Sequence, residues 1–350
     1  MAIRDAAKID NNFSVSSSIK KDGLAFYNAE ELGVFGLKRI DGIYRRMRLE
    51  DAKRVSENVA LISSESAGGR CRFATDSRRI AISVKYRSVA KVPNYSYTAT
   101  LGFDLYSGER YVGCFIPPFD TVDSFESDIF IPEDISGAKT YTLNFPVCSE
   151  VDEVYIGVDE GASIGQAPEY SIKKPIVFYG SSTTQGACAS RPGNTYENMI
   201  SRVLDADYIN LGFWGNARGE EEMAEYIASL DMSAFVYDYD YNAPSVEHLL
   251  ATHERMFEII REKNPELPIV ILSAPKYYLD EKMKKRLEIV KRTFHNAVAF
   301  GDTRVAFISG KTMLKRVKDS ALADNIHPGD VGFFEMARCI TKELRALFSK

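Results

Sequence analysis

The chain has 350 residues, 45% of them hydrophobic and 27% charged. At ~150 residues per domain this is material for about two cores, and it excludes a disordered or fibrous chain. Lys and Arg number 44 against 49 Asp and Glu, a net charge of −5 without long runs of one sign, so the basic face of a nucleic-acid binder is not expected.

Up to about residue 170, short β-rich pieces separated by Gly, Pro, Asp and Ser predict strands over 24–27, 59–63, 80–86, 96–101, 111–116, 140–145 and 153–158. Such spacing predicts an antiparallel sandwich. The stretch 161–174, with Gly161, Gly165 and Pro168, reads as a short linker. Beyond it, strands over 175–180, 208–211, 234–239, 269–273 and 304–308 alternate with helices over 195–205, 219–230, 246–263, 280–300 and 332–348. Five strands with helical crossovers predict a parallel sheet covered on both faces. The expected division is 1–168 for the sandwich and 169–350 for the α/β domain.

No apolar stretch nears the ~18 residues of a membrane span, and charged residues interrupt any apolar leader at the N-terminus. The five cysteines, Cys71, Cys114, Cys148, Cys188 and Cys339, lack CxxC spacing or a neighbouring His. A cytoplasmic protein without a disulfide framework, zinc site or membrane partner is expected.

In a doubly wound sheet, ligands bind at the carboxyl ends of the strands. The first strand there ends in GSSTTQG, 180–186. A phosphate loop would need Lys where Ala187 stands. The other reading, a serine displayed as a nucleophile, needs a base. Of the four histidines, His248, His253 and His295 fall in predicted helices as ordinary solvated or packed side chains. His327 instead sits in a turn, ADNIHPGD, three residues after Asp324. A carboxylate so placed can hold Nδ1–H and leave Nε2 to take a serine proton. The second strand ends in NLGFWGNAR, where Gly215 can offer a backbone N–H, and the third in DYDYNAP, where Asn242 can offer an amide. Acyl transfer needs such donors for its oxyanion. A turn glycine and a helix-entry asparagine are the plain alternatives.

These four blocks, GSSTTQG, NLGFWGNAR, DYDYNAP and DNIHPGD in this order, resemble the SGNH (GDSL-type) hydrolases. GFDLY at 102–106 resembles the GxDLY motif of the sandwich domain preceding one branch of SGNH esterases, and IYRRMRL and GGRCRFATDSRRIAISVKY are similar to the same branch. The resemblance covers about residues 20–345. It implies a jelly-roll-like sandwich followed by a flavodoxin-like domain. It also implies Ser182 as nucleophile, Asp324 and His327 as its partners, and an oxyanion hole of Ser182 N–H, Gly215 N–H and the Asn242 side chain. Ser181 replaces the Asp of GDS, Trp214 precedes Gly215, and Tyr241 and Ala243 flank Asn242. None of these departures removes a catalytic group.

Trp214, directly before Gly215, is expected to face the crevice and limit acyl length, the alternative being a core position. Arg191, in ASRPGN, is a candidate substrate anchor, with a structural ion pair as the alternative. Asp104 and Tyr106 are read first as sandwich core residues, the alternative being that they reach the active site from that domain. Lys282, Lys284, Lys285, Arg286, Lys291 and Arg292 read as the solvated face of one helix. Cys188 reads as an inert small side chain rather than a second nucleophile. The expectation is a serine esterase that needs no cofactor or metal and removes short acyl groups, acetyl foremost, from a small-molecule or oligosaccharide ester. Nucleic acid and membrane are not expected partners, and homo-oligomerisation is left open. The competing reading is a catalytically inactive carbohydrate-binding or scaffold protein on the same fold.

Overall fold

The structure is a computed structural model that describes residues 6–11, 14–135 and 137–350. The remaining few positions of the expected 1–168 unit, Arg4 and Asp5 among them, lie outside the described residues. Two antiparallel sheets are built by residues 24–166. One has the order Leu24–Asn28, Glu150–Asp159, Arg79–Ser88, Ser124–Phe130; the other has Ile164–Gln166, Arg70–Thr75, Lys139–Asn144, Phe103–Ser107, Arg110–Phe115, with Val34–Phe35 beside Arg70–Thr75. Alternate residues of both sheets, among them Ile80, Ile82 and Val84 from one and Phe73, Leu105 and Leu143 from the other, share one apolar cluster. That is the period-2 burial of a sandwich.

Two of the expected strands are helices. Residues 59–63 lie within or just past Glu57–Ile62, whose entry is capped by the Ser56 side chain accepting from Val59 N, and residues 96–101 hold the helix Tyr97–Leu101. The reason is tertiary. Met47, Ala52, Val59, Ala60 and Ile62, from the segment containing the helices Leu49–Val55 and Glu57–Ile62, pack into the core of the parallel sheet, not that of the sandwich. The expected linker also carries a strand, since Ile164–Gln166 pairs with Arg70–Thr75.

The second half follows the sequence closely. Ala206–Gly212, Ile172–Gly180, Ala234–Asp238, Ile269–Leu272 and Val305–Ile308 lie in this spatial order, all parallel. This is the flavodoxin-like order, which reverses beside the first strand and opens a crevice there. Val177 and Tyr179 face the helices Glu221–Ala228, Val246–Lys263 and Glu281–Ala299, while Ile176 and Phe178 face Tyr196–Leu204 and Asp330–Phe348. The sandwich docks on the edge strand through buried Arg70, which ion-pairs with Asp207, donates to Tyr208 O at 3.2 Å and stacks 3.9 Å from the Tyr208 ring. Among the described residues, no helix is long and apolar enough to cross a membrane.

Candidate active site

Ser182 begins a one-turn helix, Ser182–Gln185, directly after the first parallel strand. Three groups force this turn. Ser181 caps it by accepting from Thr183 N, Thr184 Oγ1 donates to Asp238 Oδ1 at 2.5 Å, and Ser181 N lies 3.3 Å from the same carboxylate oxygen. Gly180 is required, because a Cβ there would stand 1.9 Å from Asp238 Oδ1. Burial pushes the Asp238 carboxyl up to about 7.

His327 is delivered by a pinched loop in which Ala323 N donates to His327 O and Gly329 N donates to Ala321 O. His327 Nε2 is 2.8 Å from Ser182 Oγ, and its Nδ1 is 2.7 Å from Asp324 Oδ2. Asp324 also accepts from His327 N, Ile326 N and the Asn94 amide at 2.6, 2.7 and 2.7 Å. Burial alone would raise this carboxyl, but the hydrogen bonds outweigh it and hold it well below the usual carboxylate range. The structure thus brings Ser182, His327 and Asp324 into one hydrogen-bonded chain. An Asp so held remains ionised and fixes the tautomer that leaves Nε2 as an acceptor.

Around Ser182, neither its own N–H nor that of Gly215 donates to any described residue, and Gly215 takes φ 71°, open to glycine. Asn242 Nδ2 donates to Phe213 O at 3.1 Å. An amide has two hydrogens, so one remains for a ligand. The loop bearing Asn242 is held by Arg286, which donates to the carbonyls of Asp240 and Ala243. Arg286 is therefore buried, unlike the rest of the basic run in which it was read as solvated. A cavity of about 320 Å³ borders this loop and that of His327, lined by Tyr241, Lys276, Asn325 and Ile326 among others.

Residues 173–345 match the GDSL-like lipase/acylhydrolase family, and residues 24–164 match the N-terminus of SGNH-hydrolase-type esterases. The chain belongs to this family. It is an esterase or acylhydrolase of the SGNH type. Among solved structures it is similar to a Bacteroides ovatus protein described as a GDSL-like lipase, at 27% identity and TM-score 0.81 over 92% of this chain and 98% of that one. It is also similar to a salicylyl-acyltransferase from a tetracycline biosynthetic pathway, at 20% identity and TM-score 0.71 over 95% and 96%. A family two carbohydrate esterase from Clostridium thermocellum, in complex with cellohexaose, aligns at 14% identity and TM-score 0.62 over 91% and 99%. No curated protein matches.

In this acylhydrolase the sandwich half reaches the site, through residues that sequence reasoning missed. Asn94 touches Asp324, and the Tyr95 ring lies edge-on to His327 at 5.9 Å. Arg46 donates to the carbonyls of Ile62 and Gly212 and stacks 4.7 Å from Phe213. Asn58 donates to Asn216 Oδ1 at 3.1 Å, and Glu65 accepts from Trp214 Nε1 at 3.2 Å and from Gln185. Residues 212, 214 and 216, flanking Gly215, are thus braced from one N-terminal segment. No local pattern marks these contacts; apart from Arg46 to Ile62, they join positions more than a hundred residues apart.

Trp214 does not enter the core: the residue is 43% exposed, and its backbone N–H donates to Gln185 Oε1. Arg191 takes the structural alternative, with Nε 3.2 Å from Asp104 Oδ2 and a second nitrogen 3.0 Å from Tyr106 OH. Asp104 is not simply sandwich core. It is fully buried and accepts from Gly193 N at 2.9 Å, gripping the loop that follows the serine turn. Gly193 is required because a Cβ there would meet the Tyr106 ring at 2.4 Å. Burial raises Asp104 to about 6. The cysteines form no disulfide. One group with metal-ligand spacing occurs among the described residues, Cys188, Asp324 and His327.

Proposed function

We propose that this acylhydrolase removes short acyl groups, acetyl foremost, from hydroxyls of a carbohydrate, with Ser182, His327 and Asp324 as its catalytic triad. The observation that carries the reading is the unbroken hydrogen-bond chain from Ser182 Oγ through His327 to Asp324, at 2.8 and 2.7 Å. Nε2 of His327 takes the Ser182 proton as Oγ attacks the ester carbonyl. The N–H groups of Ser182 and Gly215 and the Asn242 amide receive the developing oxyanion. His327 then protonates the leaving alkoxide, and water repeats the cycle to release the acid and free Ser182. Asp324, held ionised, stabilises the imidazolium formed midway.

The carbohydrate part of the reading is supported by the architecture shared with the family two carbohydrate esterase and with an acetyl xylan esterase from Butyrivibrio proteoclasticus. The short acyl group is supported by the Trp214 indole beside the Gly215 turn. A fluorophosphonate read by intact-mass spectrometry tests the nucleophile: one adduct on the unmodified protein and none on Ser182→Ala is expected. Absence of an adduct on both favours the inactive scaffold. Acetate release from peracetylated sugars, compared with nitrophenyl acetate, tests the substrate class.

A further inference from the structure

Cys188 takes no part in the proposed acyl transfer, yet its thiol lies against the triad. Sγ is 3.7 Å from Asp324 Oδ2 and donates to Asn94 O at 3.2 Å. The residue is buried and has φ 65°, a backbone conformation that side chains with a Cβ rarely adopt. Ligand atoms of Cys188, Asp324 and His327 all lie within 4.8 Å of one another. A thiol, an imidazole and a carboxylate are the donor types zinc selects.

We propose that Cys188 Sγ, Asp324 Oδ2 and His327 Nδ1 form an inhibitory zinc site that switches the esterase off. With Zn–S near 2.3 Å and Zn–N and Zn–O near 2.0–2.2 Å, tetrahedral ligand atoms stand roughly 3.3–3.6 Å apart. The observed Sγ to Oδ2 separation of 3.7 Å has to close by only about 0.1 Å to enter that range. The 2.7 Å between Nδ1 and Oδ2 is a hydrogen bond, which opens by about 0.6 Å when a metal replaces the proton between them. Water completes the coordination.

In the resting site the thiol carries the proton that it donates to Asn94 O, and the ring proton of His327 lies on Nδ1, toward Asp324. Zinc binding sends the thiol proton to solvent, because a coordinated thiol is deprotonated. The imidazole stays neutral, with Nδ1 on the metal and its proton on Nε2. Nε2 then faces Ser182 Oγ as a donor and cannot accept the hydroxyl proton. The consequence for activity rests on the proposed roles of Ser182 and His327; the metal binding does not.

Two measurements test this. Micromolar zinc chloride should inhibit nitrophenyl acetate hydrolysis, reversibly with EDTA, while millimolar magnesium should not. In Cys188→Ala, basal turnover should stay within about tenfold, and the half-inhibiting zinc concentration should rise at least about 30-fold. Independently of any activity, cobalt(II) added to Ser182→Ala should give a near-ultraviolet thiolate-to-metal absorption band that is absent from the Ser182→Ala, Cys188→Ala double variant. Equal zinc inhibition with and without Cys188, or no thiolate band in Ser182→Ala, overturns the site. Loss of all esterase activity with the band retained would count against the catalytic reading and not against the metal site.

Discussion

Arg46 is the residue whose replacement separates a catalytic unit spanning both halves from two independent domains. Its guanidinium is fully enclosed, so burial lowers it to about 10. It bonds Ile62 O at 2.7 Å as well as Gly212 O. Arg46→Met keeps the apolar stem against Phe213 and removes both donors. Ile62 O keeps its bond from Glu65 N at 3.0 Å, so Gly212 O is the carbonyl that loses its partner, at a cost of about 1–3 kcal/mol. Part is offset because a buried charge no longer has to be desolvated, leaving a net loss of about 1–2 kcal/mol. For a chain of this size that corresponds to a fall in Tm of roughly 2–6 °C by circular dichroism. Gly212 lies three residues before Gly215, and a displacement of about 1 Å in such a loop costs about 10²-fold in rate. The expected kinetic signature is a lower kcat on nitrophenyl acetate, measured well below Tm, with KM little changed. A variant as stable and as active as the parent would refute the bracing role. A destabilised variant with full kcat would confine Arg46 to the fold.

Ser182→Ala is expected to lower ester turnover by up to about 10⁶-fold, and equal loss from Cys188→Ala would sink the nucleophile assignment. Asn242→Ala should cost about 10²–10³ in turnover and Asp324→Asn about 10⁴; steady-state kinetics showing both near normal would leave only Ser182 and His327 standing. If the Trp214 indole limits acyl length, at about 0.8 kcal/mol per excluded methylene, nitrophenyl acetate should be cleaved with higher kcat/KM than butyrate or octanoate, and Trp214→Ser should narrow the gap. An unchanged ranking in that variant denies the indole this role. Burial raises the Glu65 carboxyl from 4.5 to about 7. Because the folded-state value is the higher one, its contribution to stability is present below about pH 4.5 and is lost as pH rises through about 7. Glu65→Gln should therefore gain on the parent by up to about 3 kcal/mol across that window; a Tm difference independent of pH would contradict it.

The α/β half is written in local pattern. Its strands are buried on both faces, so they read as short apolar runs such as Ile269–Leu272, and their helices carry one apolar face each. The candidate site was legible for a related reason: in a doubly wound sheet the residues just after the strands converge whatever lies between them. Ser182, Gly215 and Asn242 are such residues, while the Asp324–His327 turn, which follows the last strand only after the helices Gly310–Met313 and Lys318–Ala321, is marked by its Asp-x-x-His spacing. Where local pattern and packing disagreed, packing decided. Val59, Ala60 and Ile62 look like a strand, and they form a helix because the parallel sheet's outer face needs an apolar stripe at helical spacing. Only the tertiary structure brought Asn94, Tyr95, Glu65 and Arg46 to the site, turned Arg191 toward Asp104, and set Cys188 against Asp324. Each of these depends on how the sandwich lies against the sheet. That docking is fixed by buried ion pairs and carbonyl contacts between residues distant in the chain, and such contacts leave no periodicity for a sequence to show.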